Sequence, residues 1–237
     1  MISQDKTAIR DAATVIAIRD RHSAPRILMG QRGAKAAFMP SKFVFPGGAV
    51  DAGDGAVAAA RPLPRLCRQR LVEDADVDLS HALGIAAVRE MWEETGMILG
   101  QKGTWNTPPT DDWRDFAATG HIPDMGALQF VFRAITPPGR PRRFDARFFL
   151  VDASDIASDL DDFSAASDEL PHLQWIALDD VRSLDMPFIT EVVLSEIAAR
   201  VKDTAPPKSV PFFKNRDEQS LFRRLYGEDG AAPAQHD

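Results

Sequence analysis

Three glutamates, Glu90, Glu93 and Glu94, stand at a spacing that places them on one face of a helix. Like charges at this spacing repel each other by about 0.2–0.5 kcal/mol per pair, so a compensating charge is expected. A hard divalent cation bound through carboxylate oxygens can supply that charge. Arg89 directly precedes the cluster and can pair with one of its glutamates. The alternative is an ordinary solvated acidic helix face.

The surroundings of the glutamates favour a functional cluster over a solvated face. An apolar strand at 43–45 leads into a turn at Gly47-Gly48, which an acidic loop with Asp54 follows. Downstream, Gly96 stands where a helix ends in a left-handed residue. A strand, a glycine turn and an acidic helix therefore belong to one arrangement.

These residues resemble the Nudix box, G-x5-E-x7-R-E-U-x-E-E-x-G-U, in which U is a bulky apolar residue. Gly48 matches the leading glycine, and the segment 89–97 matches the second half at every specified position. Asp54 stands where the pattern has its first glutamate. Being one methylene shorter, it either helps to hold loop and helix together or does nothing.

The first half of the box is interrupted. Between Asp54 and Arg89 stand 34 residues (55–88), where the pattern has seven. A box split in this way resembles that of the peroxisomal coenzyme A diphosphatases.

The resemblance implies a fold and an activity. The fold is α/β, a Nudix-type α/β/α sandwich around a mixed β-sheet, with a helical insertion inside the box. The activity is hydrolysis of a diphosphate bond in a nucleoside diphosphate linked to another group, with Mg²⁺ or Mn²⁺ as cofactor. The implied metal ligands are Glu90, Glu93, Glu94 and the carbonyl of Gly48.

The general base is one of these glutamates or a carboxylate from a later loop. Crowded carboxylates have raised pKa values, which suits a base. Glu169, in the loop before a predicted strand at 173–176, is the later candidate; the alternative is an ordinary surface turn. The predicted catalytic residues are Glu90, Glu93, Glu94, Arg89 and Glu169.

The substrate is predicted less sharply than the chemistry. Coenzyme A or acyl-coenzyme A fits the split box, but the same machinery would serve ADP-ribose, NADH or a nucleotide sugar. Because side chains alternate along strands, each candidate arginine faces the pocket or faces away. The candidate substrate-binding residues are Arg32, Arg143, Arg147, Gly47 and Gly48. The insertion adds arginines that contact an extra phosphate or pair with Asp74, Asp76 and Asp78: Arg61, Arg65, Arg68 and Arg70.

A non-catalytic Nudix-fold module that binds or regulates through a ligand is the alternative of another class. Such proteins usually lose box glutamates, and here Glu90, Glu93 and Glu94 are all present.

The elements that carry these residues follow from hydrophobic patterning. We predict one domain over 1–237, with 55–78 as a local insertion and 227–237 as a flexible tail. Strands are predicted at 12–18, 26–31, 42–45, 128–135, 147–151 and 173–176. Helices are predicted from 78 or 80 to 94, over 112–116, from 179 and over 189–201.

Composition excludes several other classes. The 237 residues are 44% hydrophobic and 27% charged, which is ordinary for a soluble globular protein. A net charge of −7 disfavours general nucleic-acid binding. The chain has no apolar run of about 18 residues and no secretory pattern, so we expect a cytoplasmic protein without membrane contact. The single cysteine, Cys67, fits a reducing compartment. A homodimer is an expectation from the resemblance alone.

Overall fold

The computed structural model describes residues 8–34, 36, 39–215 and 221–227. The predicted tail lies outside the described residues from 228 onward. The strands are β1 (Ile9–Arg19), β2 (Arg26–Gln31), β3 (Phe43–Val44), β4 (Gly47–Ala49), β5 (Gly100–Lys102), β6 (His121–Pro123), β7 (Gln129–Ile135), β8 (Arg143–Asp152), β9 (Gln174–Ala177), β10 (Val210–Lys214) and β11 (Leu221–Leu225). The helices are α1 (Arg65–Val72), α2 (Ser80–Thr95), α3 (Arg114–Ala118) and α4 (Phe188–Ala199).

Within the described part of the chain, nine strands form one mixed sheet. Its order is β11-β10-β7-β8-β1-β2-β3, with β4 paired to β1 and β9 paired to β2. β1 runs parallel to β8 and β7 runs parallel to β10, whereas the other pairs are antiparallel. β5 and β6 form a separate two-stranded ribbon.

Helices cover both faces of the large sheet. Alternate residues of β1 point to opposite faces, as the pleat requires. Val15 packs in the cluster that contains Ala87 of α2, whereas Ile16 packs in the cluster that contains Val193 of α4. The predicted α/β/α sandwich around a mixed sheet is therefore confirmed.

Helix α2 carries the acidic cluster, and its ends are fixed by local contacts. At its start, the N–H of Ser80 donates to a carboxylate oxygen of Asp78 over 2.9 Å. At its end, Gly96 has φ of 72°, and its N–H donates to the carbonyl of Trp92 over 2.7 Å. Glycine adopts this left-handed geometry without strain, which confirms the predicted end of the helix.

The insertion contains a helix, α1, as predicted, and the residues just after this helix bond to a part of the chain where no strands were predicted. The carboxylate of Glu73, just after α1, accepts hydrogen bonds from the N–H groups of Tyr226 (3.0 Å) and Gly227. Asp74 accepts from Lys214 of β10 over 2.7 Å. These hydrogen bonds attach the insertion to β10 and to the residues that follow β11.

The described helices include none that is both long and apolar enough to cross a bilayer.

Candidate active site

The glycine turn and helix α2 meet because β4 pairs with β1, against which α2 packs. The backbone N–H of Gly47 donates to Oε2 of Glu94 over 2.7 Å. A β-carbon at Gly48 would collide with the carboxylate of Glu90. Glycine at this position therefore allows the backbone to approach the carboxylate closely, and the two predicted halves of the site lie together.

Arg89 is the centre of a buried ion-pair network. Its Nε and Nη2 donate to the two carboxylate oxygens of Asp54 over 3.0 and 3.1 Å. Its Nη1 donates to Oε1 of Glu90 (2.9 Å) and Oε2 of Glu93 (3.0 Å). Arg89 is 4% exposed and Asp54 is 2% exposed. The shorter aspartate thus reaches its partner, and it ties the loop to the helix.

The charge of Arg89 is fixed by these partners. Burial alone would lower its pKa, but the hydrogen bonds and charge of Asp54, with the charges of Glu90 and Glu93, raise it well above its ordinary value. Arg89 therefore stays protonated and holds its carboxylate partners in a constant geometry.

The pKa values of all three glutamates are raised. Burial raises the pKa of Glu90 to about 7, and the charge of Glu93 adds to this. Burial and the charge of Glu90 raise the pKa of Glu94 to about 8. The pKa of Glu93 is also raised, chiefly by burial. Near neutral pH, a bound cation would offset the repulsion between the glutamates, which bound protons offset when no cation is present.

The donor chemistry fits a divalent cation. Carboxylate oxygens are the ligands that Mg²⁺ and Mn²⁺ prefer. Among the residues that the structure describes, no three His, Cys, Asp or Glu side chains already converge as a metal site. Arg89 accounts for part of this, because its Nη1 engages one oxygen each of Glu90 and Glu93. Glu90 and Glu93 each keep one carboxylate oxygen that Arg89 does not engage and that would be available to the ion.

Glu169 lies on the same side of the molecule as the cluster. Its charge contributes to the raised pKa values of both Glu90 and Glu94. Its side chain is exposed, and the N–H of nearby Ser167 donates to the backbone carbonyl of Glu93 over 2.9 Å. The loop is therefore attached to α2 beside the carboxylates.

The three candidate arginines have different surroundings. The positive charge of Arg32 lowers the pKa of Glu94, so Arg32 lies within electrostatic range of the cluster. Arg143 donates to the backbone carbonyls of Thr136 and Asn215. Arg147 is 3% exposed and pairs with Asp11 and Asp145. The contacts of Arg143 and Arg147 are those of structural residues.

Two arginines of the insertion also serve the fold. Arg61 donates to Asp124 from Nε (3.0 Å) and Nη2 (2.6 Å). Arg70 is 3% exposed and donates to the carbonyls of Tyr226 and Lys208. The predicted alternative, pairing with the aspartates of the insertion, is thus wrong for these two arginines. The predicted partners were sequence neighbours, whereas the observed partners come from distant segments.

Sequence reasoning missed two acidic residues beside the cluster. Asp51 lies 3.5 Å from Nη2 of Arg89, and the charge of Asp112 raises the pKa of Glu93. Asp51 stands inside the box, so its position was a usable signal. Asp112 lies in a short 3-10 helix just before α3, and nothing in the sequence connects it to α2.

The chain is similar to curated proteins and to a solved structure. No family model matches the chain. It is 28% identical to "Putative nudix hydrolase 7" of Caenorhabditis elegans over 163 residues, which cover 64% of this chain and 46% of that protein. It is also 28% identical to the acyl-coenzyme A diphosphatase NUDT19 of Gallus gallus over 178 residues, covering 52% of this chain and 47% of that protein. The chain spans about half the length of these curated relatives.

A solved structure extends the similarity to the fold. The crystal structure of a NUDIX hydrolase from Alicyclobacillus acidocaldarius superposes with a TM-score of 0.61 at 28% sequence identity. The superposition covers 82% of this chain and 96% of that chain. The match therefore includes most of this chain and nearly all of that one.

Proposed function

We propose that this chain, a member of the Nudix hydrolase family by its box and its fold, hydrolyses a diphosphate bond in a nucleoside diphosphate linked to another group. The observation that carries the proposal is the position of Glu90 and Glu94, which are buried against the Gly47-Gly48 turn with raised pKa values. Burying ionised carboxylates is costly unless positive charge compensates them, and the single charge of Arg89 cannot neutralise Asp54 and three glutamates together.

The reaction assigns a role to each group. Glu90, Glu93, Glu94 and the carbonyl of Gly48 would hold Mg²⁺ or Mn²⁺. Bound divalent ions neutralise the charge of the diphosphate and lower the pKa of the attacking water. Arg89 keeps the glutamates oriented. Glu169 accepts a proton from the attacking water while the water oxygen bonds to phosphorus. The bond between that phosphorus and the bridging oxygen breaks, and the bridging oxygen leaves with the other phosphate.

Coenzyme A or acyl-coenzyme A is the substrate that we propose. Two observations support it: the insertion that splits the box, and the similarity to a relative named as an acyl-coenzyme A diphosphatase. Hydrolysis would release adenosine 3′,5′-bisphosphate and a phosphopantetheine or its acyl form. ADP-ribose, NADH and nucleotide sugars are the alternatives, because the same carboxylates would serve them.

A substrate panel tests this choice. Acetyl-coenzyme A, coenzyme A, ADP-ribose, NADH and UDP-glucose are incubated with Mg²⁺ or Mn²⁺, and product masses are measured. We expect adenosine 3′,5′-bisphosphate to form fastest. Preferential cleavage of ADP-ribose or NADH would refute the substrate and leave the reaction standing, whereas no turnover of any compound would favour a binding module.

We also propose that the protein is cytoplasmic and forms a homodimer. A homodimer predicts twice the chain mass of 26.0 kDa in light scattering, and a single species at the chain mass would refute it.

A further inference from the structure

The segment 165–171, here called the Glu169 loop, crosses from the end of α2 to the end of β2. It carries Glu169, whose side chain is exposed, and Leu170, which is fully buried at 0% exposure. Adjacent residues thus point in opposite directions, one to solvent and one into the protein. This alternation suggests that the buried residue fixes the exposed one.

One end of the Glu169 loop is attached to helix α2. The N–H of Ser167 donates to the carbonyl of Glu93 over 2.9 Å. Gly96, at the end of the helix, lies so close that a β-carbon there would be 3.0 Å from the β-carbon of Ala165. The backbone before Glu169 is therefore held against the helix that bears the carboxylates.

The other end is attached to strand β2. The carbonyl of Pro171 accepts a hydrogen bond from the N–H of Gln31 over 2.9 Å. The side chain of Leu170 occupies the space above Gly30, where a β-carbon would collide with its Cγ and lie 3.0 Å from Cδ2. Gly30 is thus a socket for Leu170, because glycine alone leaves room for this side chain.

From these contacts we infer that Leu170, seated on Gly30, is a positioning residue that holds Glu169 at the carboxylate cluster. The inference rests on the proposed function and on Glu169 as its base. General base catalysis depends on placing the base within hydrogen-bond reach of the water. A displacement of about 1 Å can cost on the order of 100-fold in rate, so an exposed loop residue needs a fixed backbone.

The test begins with Gly30→Ala, whose added methyl displaces Leu170. We expect kcat to fall about 10-fold or more while KM changes less than about threefold, since base placement acts on the chemical step. Leu170→Ala, which empties the socket, should act in the same direction. Gly33→Ala is the matched control, because nothing lies within 4 Å of a β-carbon there; its kcat should equal that of the parent.

Glu169→Gln separates positioning from general damage. If Leu170 acts through Glu169, Gly30→Ala should lower kcat in the parent and leave kcat unchanged in the Glu169→Gln background. An equal loss in both backgrounds would overturn the inference while leaving the diphosphatase intact. Parent protein without turnover on any diphosphate would instead refute the proposed function.

Amide hydrogen exchange gives a readout that needs no turnover. The N–H groups of Ser167 and Gln31 should exchange faster in Gly30→Ala than in the parent or in Gly33→Ala. These two N–H groups donate the hydrogen bonds that attach the two ends of the loop. Unchanged exchange at both amides would show that Leu170 does not hold the loop, and would overturn the inference.

Discussion

Arg89 and Asp54 form a two-point buried ion pair across 34 intervening residues, with donor–acceptor distances of 3.0 and 3.1 Å. The pair joins the loop after β4 to the acidic helix. Because Arg89 also holds Glu90 and Glu93, the position of Asp54 determines the geometry of the carboxylates. The insertion leaves this connection intact.

Removing one partner of this pair should destabilise the protein. Asp54→Ala leaves the guanidinium of Arg89 buried with fewer partners, and we expect a loss of about 3 kcal/mol in the free energy of unfolding. Urea denaturation measures it. Asp111→Ala is the control, because its pair with Arg114 is exposed and should leave stability unchanged. Equal stability of Asp54→Ala and parent would contradict a structural role for the pair.

The raised pKa values of Glu90 and Glu94 predict how stability depends on pH without divalent ions. Folded pKa values of about 7 and 8 exceed the ordinary value of 4.5, so the folded state binds the extra protons. The stability that the folded state gains from these protons is fully present below pH 4.5 and is lost as pH rises through 7 to 8. In EDTA, the melting temperature of the parent should therefore fall between pH 6 and 9 more than that of Glu94→Gln.

Mg²⁺ should reverse this loss, because a bound cation replaces the protons. We expect Mg²⁺ to raise the melting temperature of the parent more at pH 8.5 than at pH 5.5. A shift of equal size at both pH values, or the same shift in Glu94→Gln, would show that the cation binds elsewhere.

The hydrogen bonds between Glu73 of the insertion and the backbone after β11 should contribute to stability. Glu73→Ala removes the acceptor for the N–H groups of Tyr226 and Gly227, and we expect a loss of about 1–2 kcal/mol in the free energy of unfolding. Glu191→Ala, at an exposed position of α4, is the control in the same urea titration. Identical urea midpoints for the two variants would mean that the hydrogen bonds of Glu73 give no net stabilisation.

Patterns that are local in the sequence predicted much of this architecture. The β-branched run at 12–18 predicted β1, and Gly96 predicted the end of α2, because strand burial and a left-handed cap each depend on neighbouring residues. The spacing of Glu90, Glu93 and Glu94 likewise predicted a shared helix face. The fold class and the meeting of the glycine turn with the acidic helix were implied by the resemblance to the Nudix box.

Features that depend on distant segments were not predictable in this way. Strand β10 begins Val210-Pro211, and proline argues against a strand inside a sheet, yet β10 pairs with β7 and β11. Arg61 finds Asp124 and Arg70 finds backbone carbonyls 138 and 156 positions away, so charge patterning within the insertion gave the wrong partners. Only the tertiary fold supplies these contacts.

The most direct test of the central claim is hydrolysis of acetyl-coenzyme A by Glu94→Gln during a Mg²⁺ titration. Glutamine keeps the acceptor for the Gly47 N–H but removes the charge that would bind the ion. We predict that turnover falls at least about 100-fold while Glu191→Gln matches the parent. Hydrolysis by Glu94→Gln at the parental rate, with the same Mg²⁺ dependence, would contradict the assignment of this carboxylate cluster as the metal site.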